Sequence, residues 1–188
     1  ANTLIDRCVF SGNYYRTVTS KKRAHGAVRV SGGATVRNSL FTDNTAPFFP
    51  AIWVGADSHA ENCTVVRNAS IQTNSVDSDV GAVYAADATA SVVNVLVTGN
   101  TDGEDAAADA SGNADSFDHC FVGGDAKFKN PGKANFRLKG SSPCLNAGVV
   151  LPWMQGARDL DGQPRHLQIL PDIGCYEGLA SGLQILVW

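Results

Sequence analysis

The sequence predicts an all-β fold, a right-handed parallel β-helix of about five turns followed by a non-repetitive C-terminal cap. A short residue motif recurs five times along the sequence. A second motif precedes it at a nearly fixed distance in four of the repeats. The chain is rich in Gly, Asn, Ser and Thr and lacks long helical apolar periodicity, which favours short strands and tight turns. We therefore assign residues 1–125 to the coil, which begins inside a repeat and so is expected to be N-terminally incomplete. Residues 126–188 are assigned to a cap on its end.

The first pattern is a six-residue motif that ends in Asn or Asp and recurs in steps of 24 to 32 residues. Equivalent residues of successive turns lie directly above one another in a solenoid, so the apolar positions should form core columns. The copies are residues 8–13, 39–44, 63–68, 95–100 and 120–125. The predicted columns are Phe10, Phe41, Val65, Val97 and Val122 within the motif, and Ile5, Val36, Ala60, Val92 and Phe117 before it.

The asparagines that punctuate the repeats are predicted to form ladders. One Asn ends most motifs, and Asn38, Asn62 or Asn94 precedes the middle ones, where the alternation of apolar and polar residues breaks. A corner Asn can donate its amide to one neighbouring turn and accept from the other, which satisfies polar groups at a bend. We expect a structural role for these residues rather than a ligand-binding one.

The second pattern provides the candidate binding surface. Its copies are residues 27–30, 51–54, 82–85 and 107–110, and their third residues are Arg29, Trp53, Tyr84 and Asp109. Since the flanking apolar residues should point inward, these four side chains are predicted to line one outer face of a sheet. Stacked aromatic rings on such a face can contact sugars. The alternative is that Trp53 and Tyr84 pack beneath a loop, from the segment at Phe48 or from residues 70–79.

Catalysis on this face is the weaker of two hypotheses. A polysaccharide lyase needs a cation and a base, and a glycoside hydrolase needs two carboxyls. Arg29, Asp57, Asp87 and Asp109 could take these roles, but Asp57 and Asp87 also lie where a turn leaves a strand, and Asp is common in turns. Because no nucleophile motif or phosphate loop is present, the sequence favours a non-catalytic stalk, adhesin or polysaccharide-binding module. The alternative is the C-terminal portion of a lyase or hydrolase acting on an acidic polysaccharide.

Charge and hydropathy exclude several partners. Charged residues make up 18% of the chain and the net charge is -3, so nothing indicates a basic surface for nucleic acid. No stretch reaches the ~20 apolar residues of a membrane span. Unpaired strand edges on the first turn would permit self-association through the N-terminal end of the coil.

The cysteines divide into two groups. Cys8, Cys63 and Cys120 share one repeat position, and a spacing of about two turns, ~9–10 Å, exceeds disulfide reach. Cys144 and Cys175 lie in the cap and could form a disulfide in an oxidising compartment. The remaining alternative is that they stay reduced.

Cofactors are not expected. The densest acidic stretch, which includes Asp102, Glu104 and Asp105, could hold calcium on a loop, but it lacks the alternating ligands of an EF-hand. A solvated loop explains it without a metal.

Three C-terminal motifs carry a family resemblance. They read Ser-Pro-Cys-Leu-Asn-Ala-Gly at 142–148, Asp-Leu-Asp-Gly-Gln-Pro-Arg at 159–165 and Asp-Ile-Gly-Cys-Tyr-Glu at 172–177. With the asparagine-punctuated repeats, they resemble bacterial right-handed β-helix surface proteins with a choice-of-anchor Q type C-terminus, in the pectate-lyase-like superfamily. The resemblance covers nearly the whole chain. It implies the fold and a secreted or cell-surface location, and no activity.

Overall fold

The computed structural model describes residues 3–15, 26–72, 80–165 and 169–178. They form a parallel β-solenoid of about four turns, which confirms the predicted fold class. The described residues contain no α-helix, only short 3-10 turns at Ala114–Ser116, Pro131–Lys133 and Pro152–Met154. Residues 183–188, an apolar run at the end of the sequence, lie outside the described residues.

Three parallel sheets run along the coil, and each turn contributes one strand to each sheet. Sheet I contains β3 (Val28–Val30), β7 (Ile52–Val54), β11 (Val83–Ala85) and β14 (Ala110–Gly112). Sheet II contains β1 (Leu4–Asp6), β4 (Thr35–Arg37), β8 (His59–Glu61), β12 (Ser91–Val93) and β15 (Phe117–Asp118). Sheet III contains β2 (Val9–Ser11), β5 (Leu40–Thr42), β9 (Thr64–Val66), β13 (Leu96–Thr98) and β16 (Phe121–Val122). Two pairs complete the strands: β6 (Thr45–Ala46) with β10 (Ala69–Ser70), parallel, and β17 (Phe128–Asn130) with β18 (Asn135–Leu138), antiparallel.

The strand register confirms both predicted core columns. Phe10 pairs with Phe41, and the same column continues through Val65 and Val97 to Val122. The column from Ile5 to Phe117 is likewise continuous in sheet II. The rings of Phe10 and Phe41 stack with centroids 4.7 Å apart. Inward-pointing apolar side chains therefore fill the coil from turn to turn.

The predicted bend before each motif is a left-handed corner between sheets II and III. In the three middle turns the corner residue is Asn38, Asn62 or Asn94, with φ values of 50°, 47° and 56°. A left-handed backbone is costly for most side chains and least costly for Asn or Asp among non-glycine residues. The conformation of the corner explains why Asn recurs there.

The C-terminal segment, residues 126–178 apart from the undescribed 166–168, lies along the side of the coil. Its core residues, among them Phe128 and Phe136, pack with Leu40, Val66 and Leu96 on the outer side of sheet III. We expected this region on the end of the coil, but each of these turns places one apolar residue on the outer side of sheet III, and these residues need cover. The segment consequently touches several turns at once.

Candidate functional site

The structure aligns Arg29, Trp53 and Tyr84 on the outer side of sheet I, as predicted. Arg29 pairs with Trp53 and Trp53 with Tyr84 in the strand register. Arg29 is exposed, both aromatic residues are half-buried, and the Arg29 guanidinium carbon lies 4.2 Å from the Trp53 ring centroid. A Cβ at Gly55 would come within 2.5 Å of the Trp53 ring, so this glycine leaves the ring room to lie against its own strand. The result is a cation and a flat ring side by side.

A loop covers part of Tyr84. The ring of Phe49 stacks on it with centroids 4.1 Å apart. Phe48, Phe49, Val80 and Ala108 form a small core there, and both Trp53 and Tyr84 pack against it. The predicted loop cover thus comes from the segment at Phe48. Residues 73–79, the other predicted cover, lie outside the described residues.

Asp109 does not belong to this surface, which corrects the sequence prediction. Tyr84 pairs with Ser111, two residues further along the chain. We define the sheet I face as Arg29, Trp53, Tyr84 and Ser111. The Asp102 loop causes the shift: the Asp102 N–H donates to the Ala106 carbonyl, at 2.9 Å, which closes a turn just before the strand.

Asp57 and Asp87 lie in the turns between sheets I and II. The Asp57 N–H donates to Thr89 Oγ1, and Asp87 Oδ1 accepts from both the N–H and the hydroxyl of Thr89, each at 2.9 Å. The Thr89 hydrogen bonds hold the pKa of Asp87 below its ordinary value. Asp57 itself adopts a left-handed backbone, with φ of 56°. The structure thus gives both residues roles in turn formation.

Asp109 instead ends an amide ladder, which we define as Asn13, Asn44, Asn68 and Asn100. In each step the backbone N–H and Nδ2 of one Asn donate to Oδ1 of the next, at 2.7–3.1 Å. At the last step Asn100 donates in the same way to Asp109 Oδ1. The motif pattern predicts Asp125 at this position, but Asp125 is exposed and pairs with Lys127. Asp109 supplies the accepting oxygen of this last step because it directly precedes β14, the last strand of sheet I.

An Arg–Trp pair similar to that of sheet I occurs on sheet II. The Arg37 guanidinium carbon lies 4.3 Å from the Trp153 ring centroid, and Arg37 is paired with Asp6 at 3.4 Å. Here the tryptophan comes from the C-terminal segment and covers the arginine, whose side chain is only 19% exposed. This pair therefore joins the segment to the coil.

Sequence reasoning missed an ionic cluster inside the C-terminal segment. We define it as Asp159, Arg165, Asp172 and Glu177, whose side chains are fully or almost fully buried. Arg165 Nη1 lies 3.4 Å from Glu177 Oε1, and Arg165 Nη2 donates to the carbonyls of Asp172 and Gly174. The end residues of two of the C-terminal motifs thus meet in one place.

Backbone N–H groups satisfy the aspartates of the cluster. Asp172 accepts from Asn146 and Gly178, at 2.8 Å and 2.6 Å, and Asp159 accepts from Gln163 and Glu177, both at 2.7 Å. Charge is less well balanced, because three carboxyls face one guanidinium. Burial is the main cause that raises the pKa of Glu177 to about 8, and burial also raises the pKa of Asp172.

The cluster connects to the coil through polar contacts. The Cys175 N–H donates to Thr64 Oγ1 at 3.0 Å, and Asn62 Nδ2 donates to the Asp172 carbonyl at 3.2 Å. At Gly174, φ is +109° and a Cβ would lie 2.8 Å from Thr64 Oγ1, so the glycine of the Asp-Ile-Gly motif is required on both counts. The motifs therefore hold the C-terminal segment against the coil.

Cys144 and Cys175 are buried free thiols, so the structure does not contain the disulfide proposed between them. The Thr64 contact holds Cys175 against the coil. Burial raises the pKa of Cys175 to about 12 and that of Cys144 to about 11. Both thiols therefore stay protonated and poorly reactive at neutral pH.

The acidic stretch at 102–105 forms a turn. Asp102 is buried, and its Oδ1 accepts from the N–H groups of Glu104 and Ala106, at 2.9 Å and 3.0 Å. Glu104 and Asp105 are exposed. Within the described residues, no three His, Cys, Asp or Glu side chains come together as cation ligands.

Comparison of the chain with models of protein families, with curated proteins and with solved structures finds no match in any of the three. The fold alone thus defines the class, a parallel β-solenoid. The described part of the chain contains no helix with the length and apolarity that a membrane span requires.

Proposed function

We propose that this chain is a non-catalytic recognition module of an exported protein, and that its sheet I face binds polysaccharide. The observation that carries the proposal is the exposed Arg29 beside the half-buried Trp53, on a flat sheet. An aromatic ring offers a flat apolar surface to a sugar ring, and a guanidinium binds carboxylates through paired N–H groups. This pairing favours an acidic polysaccharide. The exported location rests on the resemblance of the C-terminal motifs to surface proteins.

The positions of the acids favour recognition over catalysis. Glycoside hydrolysis needs two carboxyls that flank the scissile bond, ~5–10 Å apart. Of the three candidate acids, Asp57 and Asp87 lie in turns bonded to Thr89, and Asp109 ends the amide ladder. The carboxylates of Asp87 and Asp109 are thus engaged in hydrogen bonds within the coil, whereas Asp57 contributes its backbone N–H.

The test is a glycan array of neutral and acidic polysaccharides, probed with the full chain and three variants. Trp53→Ala removes the ring, and we expect at least about tenfold weaker binding. Gly55→Ala keeps the ring but displaces it, so binding should also weaken. Arg29→Gln should remove the preference for acidic chains while leaving binding to neutral ones.

Trp153→Ala is the matched control, since it removes a tryptophan from a similar Arg–Trp pair away from the face. Equal losses of binding in Trp53→Ala and Trp153→Ala would mean that binding weakens because the fold is disturbed and not because a sugar contact is lost. Unchanged binding in Trp53→Ala would contradict the proposal. Ultraviolet absorbance from unsaturated uronate products during incubation would replace it with the lyase hypothesis.

A further inference from the structure

We propose that the sheet I face takes the end of an acidic polysaccharide chain, and that Phe49 is the residue that stops the chain there. This inference rests on the proposed function and names the part of the polysaccharide that the face recognises. It is carried by the direction in which the face runs, by the cover over Tyr84 and by the hydrogen bonds that hold this cover.

A polysaccharide that contacts both Arg29 and Trp53 must run across the strands. The strands β3, β7 and β11 have three residues each, of which the outer two are buried and only the middle one is accessible. The accessible residues therefore follow one another from turn to turn, ~4.8 Å apart, in the order Arg29, Trp53 and Tyr84. A sugar chain laid along a single strand would meet only one of them.

Phe49 occupies the place that a further sugar would take on Tyr84. The two rings stack with centroids 4.1 Å apart and planes 22° from parallel. The cluster to which Phe49 belongs is closely packed, since Phe48, Phe49, Val80 and Ala108 are each 5% exposed or less. Trp53 packs against the same cluster, so the cluster borders the open part of the face. Sugar contacts that begin at Arg29 therefore end at Trp53.

Backbone hydrogen bonds hold this cover from both sides. Its carbonyl groups accept N–H groups from the turn before and from the turn after. The pairs are Pro50 with Ala27, Pro47 with Gln72 and Phe48 with Gly81, at 3.1 Å, 3.0 Å and 3.3 Å. A proline on each side of the two phenylalanines also restricts the backbone there. The cover is therefore a fixed wall and not a movable lid.

A chain end fits the two contacts that remain. The last sugar lies against the Trp53 ring, and the carboxylate that Arg29 binds comes from that sugar or from the one before it. A sugar in the interior of a chain has a neighbour on each side, and one of the two neighbours would run into the Phe49 ring. The wall thus selects a free end of the polysaccharide.

The number of proteins bound per chain distinguishes an end from an interior site. An acidic polysaccharide that binds on the glycan array is cut into fractions of increasing length, and isothermal titration counts the protein molecules bound per chain. We expect one per chain at every length, with a Kd per chain that changes less than about twofold, because a longer chain adds no contact. Several proteins on each long chain would overturn the inference.

Phe49→Ala tests the wall, and Phe48→Ala is the matched control. The control removes an equally buried ring from the same cluster but leaves the Phe49–Tyr84 stack. We expect several Phe49→Ala molecules to bind each long chain, about tenfold more tightly than the unmodified protein, since Tyr84 becomes a third contact. The Phe48→Ala variant should still bind one per chain. One per chain in both variants would overturn the role of Phe49.

Failure of this inference is distinguishable from failure of the proposed function. Absence of binding to every polysaccharide overturns both, whereas several proteins per chain overturns only the recognition of an end. Circular dichroism spectra that match the unmodified chain would show that both variants fold. Where a variant does not fold, the count for the unmodified chain decides.

Discussion

The coil and the C-terminal segment bury polar groups in different ways. The coil uses neutral amides, each bonded to the turn before and the turn after, so Asn44, Asn68 and Asn100 are all about 1% exposed or less and fully engaged. The segment buries three carboxyls around one guanidinium. A repeated amide satisfies the same need at every turn, whereas the ionic cluster is a single arrangement that depends on every member.

The difference predicts where each region is vulnerable. Loss of an amide leaves a local gap whose neighbours remain neutral. Loss of the guanidinium leaves buried negative charges without a partner, which is the more costly defect. The asparagines of the ladder carry no charge at any ordinary pH, whereas burial raises the pKa of Glu177 and Asp172 in the cluster and of Asp109 at the end of the ladder.

The largest effect is expected for Arg165→Met. Removing the cation leaves three buried carboxyls, and the free energy of unfolding of the C-terminal segment should fall by about 4 kcal/mol. Urea unfolding followed by Trp153 fluorescence, with Trp53 and Trp188 replaced by Phe, would measure it. The control is Arg158→Met, which replaces an exposed arginine whose guanidinium donates to the Gly162 carbonyl. This variant should change the free energy of unfolding little. Similar losses for both variants would contradict the cluster's importance.

A smaller effect is expected for Asn68→Ala in the middle of the ladder. The variant removes the acceptor of Asn44 Nδ2 on one side and the donor to the buried carbonyls of Phe41 and Val66 on the other. The free energy of unfolding should therefore fall by about 3 kcal/mol. Thermal unfolding by circular dichroism measures the loss. Asn13→Ala serves as the comparison, since it lies at the exposed end and should cost much less. Equal costs would indicate that the ladder does not act turn by turn.

The smallest effect is a pH dependence centred on Glu177 of the segment. Glu177 has a pKa of about 8 when folded, against an ordinary 4.5, so the folded state holds a proton that the unfolded state releases. The stabilisation is fully present below the unfolded pKa and is lost as pH rises through the folded pKa. Between about pH 5 and pH 7, stability should fall by about 2–3 kcal/mol.

Glu177→Gln mimics the protonated acid and should flatten much of this dependence. The contributions of Asp172, Asp109 and Glu61 remain in the same direction, because burial raises the pKa of each. The buried thiols of Cys63 and Cys175 do not contribute, because burial raises the pKa of both. Stability that does not fall with pH in this range would show that Glu177 is already ionised in the folded segment.

Much of the coil was predictable because its signals repeat. The Phe10 column and the alignment of Arg29, Trp53 and Tyr84 follow from spacing, since stacked turns place equivalent residues together. Asp109 was misplaced because alanines surround it, and an Ala-rich stretch fits the inward positions equally well in two registers. Only the Asp102 turn decides between them.

The ionic cluster gave no such signal. Asp159, Arg165, Asp172 and Glu177 are spread over 19 residues without periodicity, and each also suits an exposed turn. One sequence clue was available: the motifs that contain them hold charged residues at their ends in a chain with few charges overall. Their meeting point depends on tertiary packing against Thr64 and Asn62, which no local pattern encodes.

The common direction of the ladder amides also gives the coil an electrical polarity. Each side-chain amide is a dipole whose oxygen points towards Asn13 and whose N–H groups point towards Asn100, so partial charges accumulate at the two ends, as in an α-helix. Burial raises the pKa of Asp109, which lies at the positive end, and the two hydrogen bonds from Asn100 oppose that rise. The two ends of the ladder therefore differ chemically: an amide oxygen ends it at Asn13, and a carboxyl group accepts the last donors at Asp109.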